Sequence, residues 1–183
     1  KKIVNNKEGI LVLGETTSGI INGESYPMKG GKDILVLKLD QEGNILYTNV
    51  IGTTGMDYVV NGDMNEDEIV VLSKDGLYVV DVETSEVKYN SIGNATLEAV
   101  TINGNKVAVV GTTNSNIITT NGVETVISNI GGNDGFIQLY EDGEISWTRR
   151  LGGVGNDKYL GVVMDEENVY VVGESDNTVL YDN

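Results

Sequence analysis

The stretch GNDGFIQLYEDGEISW, residues 132–147, decides the fold of this chain because its pattern occurs more than once. Residues 31–47, GKDILVLKLDQEGNILY, repeat it, and residues 75–89, DGLYVVDVETSEVKY, form a shorter third copy. In each copy a Gly and an Asp lie at the start of an apolar run, and a second run ends in an aromatic residue. Short β-branched runs separated by such turns predict antiparallel strands.

A second repeated element precedes each of these stretches. It reads ILVLGETTS at 10–18, VAVVGTTNS at 107–115 and VYVVGES at 169–175, with a degenerate copy, IVVLS, at 69–73. Each unit therefore predicts four strands: an inner strand, the Val-Val-Gly strand, the Asp/Gly-aliphatic strand and the strand that ends in Tyr or Trp. Units of four antiparallel strands, about 40 to 50 residues long, are typical of β-propeller blades.

The predicted fold is all-β, with about four propeller blades in a single segment that covers residues 1–183. The approximate blade bounds are 1–52, 53–93, 94–152 and 153–183. The spacing between the repeated elements predicts that the first blade lacks the start of its inner strand. It also predicts that the last blade stops near 179–181, before its fourth strand. We therefore expect the remaining blades in a longer parent chain, or self-association.

Composition excludes several classes of function. The 183 residues include 24 Gly, 1 Pro, no Cys and no His, and the formal net charge is −16. Disulfides, thiolate chemistry and histidine acid–base chemistry are therefore excluded. So acidic a surface repels nucleic acid and anionic membranes, and no apolar run is long enough for a membrane helix. We expect neither a nucleic-acid partner nor direct membrane insertion.

Three of these elements together resemble a known family. The block GGVGND at 152–157, the Val-Val-Gly strand and the Gly-x-Asp-Gly-Phe-Ile-x-Leu strand at 132–139 resemble the bacterial surface β-propeller (SBBP) repeats. That resemblance implies an extracellular or cell-surface location in a long multidomain protein, without assigned catalysis. Residues 80–89 show a weaker resemblance to quinoprotein-like propeller repeats. Ser85 and Tyr89 replace the Gly and Trp of that repeat, so no quinone site is expected.

One motif raises the question of a metal. The block 152–157 fits one turn of the calcium-binding Gly-Gly-x-Gly-x-Asp nonapeptide, which needs stacked copies to build a site. The alternative is a tight inter-blade turn in which Asp157 accepts backbone N–H groups. The acidic runs 65–68 and 165–168 are interpreted as solvated hairpin tips, with a weak cation site as the alternative. Ca²⁺ is thus the one cofactor that the sequence leaves open.

Aromatic and cationic residues offer the other candidate contacts. Tyr47, Tyr89 and Trp147 occupy equivalent positions on the outer strands, where they predict packing between blades or a platform for sugars. Arg149 and Arg150 are adjacent on a strand, so they should point to opposite faces and form no anion clamp. No catalytic, cofactor-binding or metal-binding residue is singled out, and we expect no enzymatic activity.

The sequence therefore predicts a non-catalytic propeller segment of a secreted or cell-surface bacterial protein that acts as a scaffold or binding module. A protein or carbohydrate ligand is expected, with the long insertions 19–30 and 117–129 as candidate partner sites. Two alternatives remain open at this stage. One is a carbohydrate-active propeller enzyme, and the other is a calcium-stabilised, self-assembling surface module.

Overall fold

A computed structural model describes residues 1–176 and the backbone of residues 181 and 182. Within these residues the chain forms strands and no helix. It divides into two compact units. The first comprises Lys1–Lys74 and Tyr78–Lys88, and the second comprises Asp75–Leu77 and the chain from Tyr89 onward.

The first eight strands belong to the first unit, and the next two are shared by both units. They are β1 (Lys2–Asn6), β2 (Gly9–Thr16), β3 (Ile20–Ile21), β4 (Glu24–Ser25), β5 (Asp33–Leu39), β6 (Ile45–Ile51), β7 (Val59–Met64), β8 (Glu68–Ser73), β9 (Gly76–Asp81) and β10 (Val87–Gly93).

The first unit is built on a four-stranded antiparallel sheet in the order β1-β2-β5-β6. Residues with a period of two face one side, so that Leu11, Leu13 and Val36 are fully buried. This side lies against β7, with Leu13 in contact with the backbone of Gly62, where a Cβ atom would overlap it. The amide of Asn6 donates a hydrogen bond to the carbonyl of Met64 (3.0 Å) and joins the ends of β1 and β7.

The remaining strands belong to the second unit. They are β11 (Thr96–Asn103), β12 (Lys106–Thr113), β13 (Ile117–Thr120), β14 (Val123–Val126), β15 (Asp134–Glu141), β16 (Glu144–Gly152), β17 (Asp157–Met164), β18 (Val169–Ser175) and β19 (Tyr181–Asp182).

The second unit repeats the packing of the first. Its main sheet has the order β11-β12-β15-β16-β19, and the β17–β18 hairpin covers one side of it. Buried Ala108, Val110 and Leu139 of the sheet form a core with Tyr159 and Val162 of β17. The amide of Asn103 donates to the carbonyl of Met164 (3.4 Å), as Asn6 does to Met64.

The two long insertions, predicted as loops, fold as short hairpins. Residues 20–25 form β3 and β4, and residues 117–126 form β13 and β14. Both turn at an Asn-Gly pair with positive φ, 50° and 84° at Asn22-Gly23 and 51° and 81° at Asn121-Gly122, as a tight hairpin turn requires. In the second unit, β13 also pairs with Ile92 and Gly93 of β10.

These observations confirm the predicted fold class, an all-β chain of propeller-type antiparallel sheets. The set β1-β2-β5-β6 has the expected four strands, and the described residues of the last set show the β17–β18 hairpin. The Val-Val-Gly strand is the second strand of each set, namely β2, β8, β12 and β18. The number of blades, their completeness at both ends and the single segment 1–183 stay predictions. Of the run 179–181 expected in the last blade, residues 179 and 180 lie outside the described residues.

No helix with the length and hydropathy of a membrane span is found in residues 1–176 or 181–182.

Candidate functional site

An open cleft of about 550 Å³ lies within the second unit, over the outer strands β15 and β16. Its floor is apolar and includes Ile137, Leu139 and Leu151. Its rim is polar and includes the turn between β17 and β18, residues 165–168. A concave apolar surface with a few polar groups at its edge is the usual form of a ligand-binding site.

Trp147 and Arg149 are the two side chains of the cleft best suited to hold a ligand. They point to the same side of β16, and the Arg149 guanidinium lies 5.3 Å from the centre of the Trp147 ring. Trp147 is half-buried and Arg149 is exposed, so both reach the cleft. The cation–π contact holds the guanidinium over the ring and leaves its donors available to a ligand.

The acidic rim is an ordered turn. One carboxylate oxygen of Asp165 accepts the backbone N–H groups of Glu167 (2.9 Å) and Asn168 (2.7 Å), and the other accepts the Tyr170 hydroxyl (2.9 Å). These hydrogen bonds hold the pKa of Asp165 below its usual value and raise that of Tyr170. The matching run at 65–68 uses the Asn65 side chain in the same way. Both acidic runs are therefore hairpin tips, as predicted.

Arg150 points to the opposite side of β16 from Arg149, as the sequence predicted. It is buried and forms an ion pair with buried Asp134, with 3.2 Å between Nη1 and Oδ2. Its Nε also donates to the carbonyl of Ile127 (3.1 Å). Arg150 therefore joins the end of the β13–β14 insertion to the sheet, and its guanidinium is engaged by Asp134 and Ile127 although it is among the residues that line the cleft.

Buried aspartates close the loops at the starts of strands. Asp33 accepts the N–H groups of Lys29 (2.5 Å) and Gly30 (3.1 Å), and Asp134 accepts that of Ile130 (2.8 Å). We call these two residues the aspartate clamps. Each lies against a glycine at the end of the fourth strand, Gly52 or Gly152, where a Cβ atom would collide with the clamp carboxylate.

The block 152–157 also forms a turn closed by its aspartate. Asp157 accepts the N–H of Gly153 (2.8 Å), and its equivalent Asp57 accepts that of Thr53 (2.8 Å) and the hydroxyl of Tyr78 (2.8 Å). The turn interpretation of this block is thus confirmed at the level of its hydrogen bonds. Among residues 1–176, no group of three or more acidic side chains is arranged to hold a metal ion.

The three equivalent aromatic residues have different surroundings. Tyr47 is buried on the covered side of the first sheet. Tyr89 is half-buried against Gly76 and donates its hydroxyl to the carbonyl of Asp75 (3.0 Å). Only Trp147 opens on the cleft. The structure therefore places a single one of the three where a ligand could stack.

Sequence reasoning missed the clamps and the buried ion pair. The signal for the clamps was present, because Asp33 and Asp134 occupy the same position of the quoted repeat. The ion pair had no such signal, because Val50 stands in the first repeat where Arg150 stands in the later one. The predicted partner sites at 19–30 and 117–129 are hairpins outside the cleft lining, and their role stays a prediction.

Comparison with known proteins gives little beyond this geometry. No family model matches the chain, and no curated protein matches it. Among solved structures, the chain is similar to the crystal structure of BamB from Moraxella catarrhalis, with 16% sequence identity and a TM-score of 0.42. The match covers 94% of this chain and 57% of that one, so the chain spans little more than half of its length.

Proposed function

We propose that this chain is a non-catalytic β-propeller segment of a secreted or cell-surface bacterial protein, and that it binds a protein or carbohydrate ligand. The observation that carries the proposal is the cleft of the second unit, with Trp147 and Arg149 side by side on its floor and rim. An aromatic ring beside a guanidinium offers stacking, apolar contact and hydrogen-bond donors in one place.

The use of carboxylates supports a binding role over a catalytic one. Glycoside hydrolysis needs two carboxyl groups that face one ligand with separated pKa values. The buried aspartates described above instead face backbone N–H groups of their own turns. Asp165, on the rim of the cleft, is likewise engaged by Glu167, Asn168 and Tyr170. Asp33, Asp134, Asp157 and Asp165 are thus committed to holding loops.

The resemblance to SBBP repeats and the surface charge support the proposed location. A net charge of −16 keeps a protein soluble and discourages nonspecific contact with anionic surfaces. A chain without cysteine is compatible with an oxidising environment, because it cannot form wrong disulfides. Fractionation of the source cells, with an antibody against this chain, tests the location. Recovery of the chain only with cytoplasmic proteins would contradict it.

Trp147 provides a direct test of binding because it is the only tryptophan of the chain. We would titrate the protein with neutral and acidic oligosaccharides and with extended basic and acidic peptides, and follow tryptophan emission. A saturable change with one class identifies the ligand chemistry. The change should be lost or weakened about tenfold in Arg149→Ala, a loss of about 1.4 kcal/mol in binding free energy.

The matched control is Lys88→Ala, which removes an exposed cation of the first unit. It should leave the titration unchanged. Equal weakening by both variants would show that only overall charge matters and would contradict a site at the cleft. The absence of any saturable change across the four ligand classes would also contradict it.

A further inference from the structure

The β17–β18 hairpin has one covered side and one uncovered side. Val162, Val169 and Val171 lie on the covered side, in or against the core of the second unit. The other side exposes Leu160 (41%), Val163 (64%), Tyr170 (52%) and Val172 (67%). Val163 lies directly opposite Tyr170 in the hairpin, so these side chains form one apolar patch, which we call the tail face. No described residue covers it.

The sheet of the first unit has a matching uncovered side. Ile3, Val12 and Leu37 are aligned across β1, β2 and β5, with Leu35 and Leu39 beside them. Ile3 is 68% exposed and the others are partly exposed. We call this patch the head face. Apolar patches of this kind are uncommon on soluble monomers and usually mark interaction surfaces.

The internal repeat shows that the two faces are complementary. In the Val-Val-Gly strands, Ile10 and Val12 correspond to Val169 and Val171, and Leu11 and Leu13 correspond to Tyr170 and Val172. The head face therefore corresponds to the side of β18 that packs onto the main sheet of the second unit. The tail face corresponds to the side of β2 that is buried beneath β7 in the first unit. The chain carries both halves of one sheet-on-sheet contact.

The turns at the ends of the inner strands are placed for the same pairing. Within each unit, an Asn side chain at the end of one inner strand donates a hydrogen bond to the carbonyl at the end of the next inner strand. Asn6 of β1 bonds Met64 of β7, and Asn103 of β11 bonds Met164 of β17. Asp165 occupies the equivalent position after β17. A sheet that packs on the tail face in the same manner brings its own β1–β2 turn next to the turn 165–167. That β1–β2 turn carries exposed Lys7, whose Nζ lies 3.2 Å from Oε1 of Glu8.

We propose that the occupant of the tail face is the head face of a second copy of this chain. The contact is heterologous, because two different surfaces meet, so each copy offers one head and one tail. It uses the side of the hairpin opposite the cleft and does not depend on the proposed ligand. Sedimentation velocity therefore tests the contact between copies, and the tryptophan titration tests ligand binding at the cleft, so each proposal can fail without the other.

The experiment uses the full chain and two blocking variants. Ile3→Glu places a charge on the head face, and Val172→Glu places one on the tail face. Both sites are largely exposed, so the fold should tolerate the changes, as circular dichroism and tryptophan emission would verify. Sedimentation velocity should show concentration-dependent association of the unmodified chain and at least tenfold weaker association of each variant alone.

Mixing the two variants is the decisive step. Ile3→Glu retains an intact tail and Val172→Glu an intact head, so an equimolar mixture should form a two-chain complex and nothing larger. The matched control is Val126→Glu, at an exposed valine on β14 (70%) outside both faces, which should associate like the unmodified chain. A monomeric unmodified chain, variants that associate normally, or a mixture that stays monomeric would each overturn the proposal.

Discussion

Single buried aspartates connect the sequence repeat to the shape of each blade. Asp33 and Asp134 begin their strands fully buried, and each is engaged by backbone N–H groups of the preceding loop. A buried carboxylate is tolerated only when such partners replace water. Asp134 has the additional partner Arg150, which makes it the more vulnerable of the two clamps.

Replacing Arg150 should therefore be costly. Arg150→Met keeps the apolar stem but leaves Asp134 without its buried cation, and we expect a loss of about 3–5 kcal/mol in the free energy of unfolding. Denaturant unfolding, followed by tryptophan emission, measures it. The neighbouring Arg149→Met is the matched control, because Arg149 is exposed, and it should change stability by less than about 1 kcal/mol. Similar values for the two variants would refute the structural role of the ion pair.

Much of the architecture could be predicted element by element, because two-residue periodicity and Gly-containing turns are local signals. The Val-Val-Gly elements at 10–18 and 107–115 coincide with β2 and β12, and the Asp/Gly-aliphatic strand predicted within 31–47 coincides with β5. The short hairpins were missed. Their Asn-Gly turns were visible, but strands of two and four residues are too short to show an alternating pattern.

Tight turns also give the chain an acid-sensitive element. The Asp40 carboxylate accepts the side-chain amide of Asn44 (2.7 Å) and the N–H groups of Asn44 (2.8 Å) and Glu42 (3.0 Å). These hydrogen bonds lower its pKa from the usual value near 3.8. A lowered folded-state pKa means that the stabilisation is complete above pH 3.8 and is lost as the pH falls through the lower value.

The prediction is that Asp40→Asn flattens the loss of stability below pH 3.8, because its side chain no longer has a proton to gain. Unfolding midpoints measured at several pH values above and below that point test it. Glu42→Gln, in the same turn, removes the same charge and should leave the slope closer to that of the unmodified chain. An unchanged slope in Asp40→Asn would show that this turn does not contribute to acid unfolding.

Buried polar contacts were beyond sequence reasoning. Gln138 accepts the hydroxyls of Thr120 (3.2 Å) and Tyr140 (2.6 Å), and burial raises the pKa of Tyr140 well above its usual value. Thr120 belongs to the β13–β14 insertion and Gln138 to the main sheet. Nothing in the spacing of these residues indicates that they meet, since their contact depends on how the insertion returns across the sheet.

Charge acts on the whole molecule. With a net charge of −16, the folded chain repels itself, so added salt should raise its melting temperature by screening. We expect CaCl₂ and MgCl₂ at equal concentration to raise it equally, because the aspartate of the 152–157 block is already engaged by its own turn. Thermal melts with each salt, and with a chelator, test this. A rise specific to Ca²⁺ would support the calcium-stabilised alternative instead.

The candidate site was only partly accessible from sequence. Trp147 was recognised as an outer-strand aromatic, and the opposite directions of Arg149 and Arg150 followed from strand geometry. That Trp147 is half-buried and opens on the cleft while Tyr47 is buried depends on what covers each sheet. Such coverage is a property of the assembled molecule, and a repeat alone makes the two positions look the same.

The aspartate clamps have a consequence for how this chain can evolve. Each hairpin insertion leaves the blade after the second strand and returns to it at a clamp, Asp33 or Asp134, which fixes the returning backbone at the start of the third strand. The first insertion, residues 20–25, is exposed or half-buried, so the clamp separates its sequence from the folding of the blade. These residues are free to diverge, lengthen or accept grafted sequences, whereas the second insertion is tied to the fold by buried Ile118 and Thr120 and by the pairing of β13 with β10. The scaffold can therefore acquire new specificities at 20–25 without rebuilding its core.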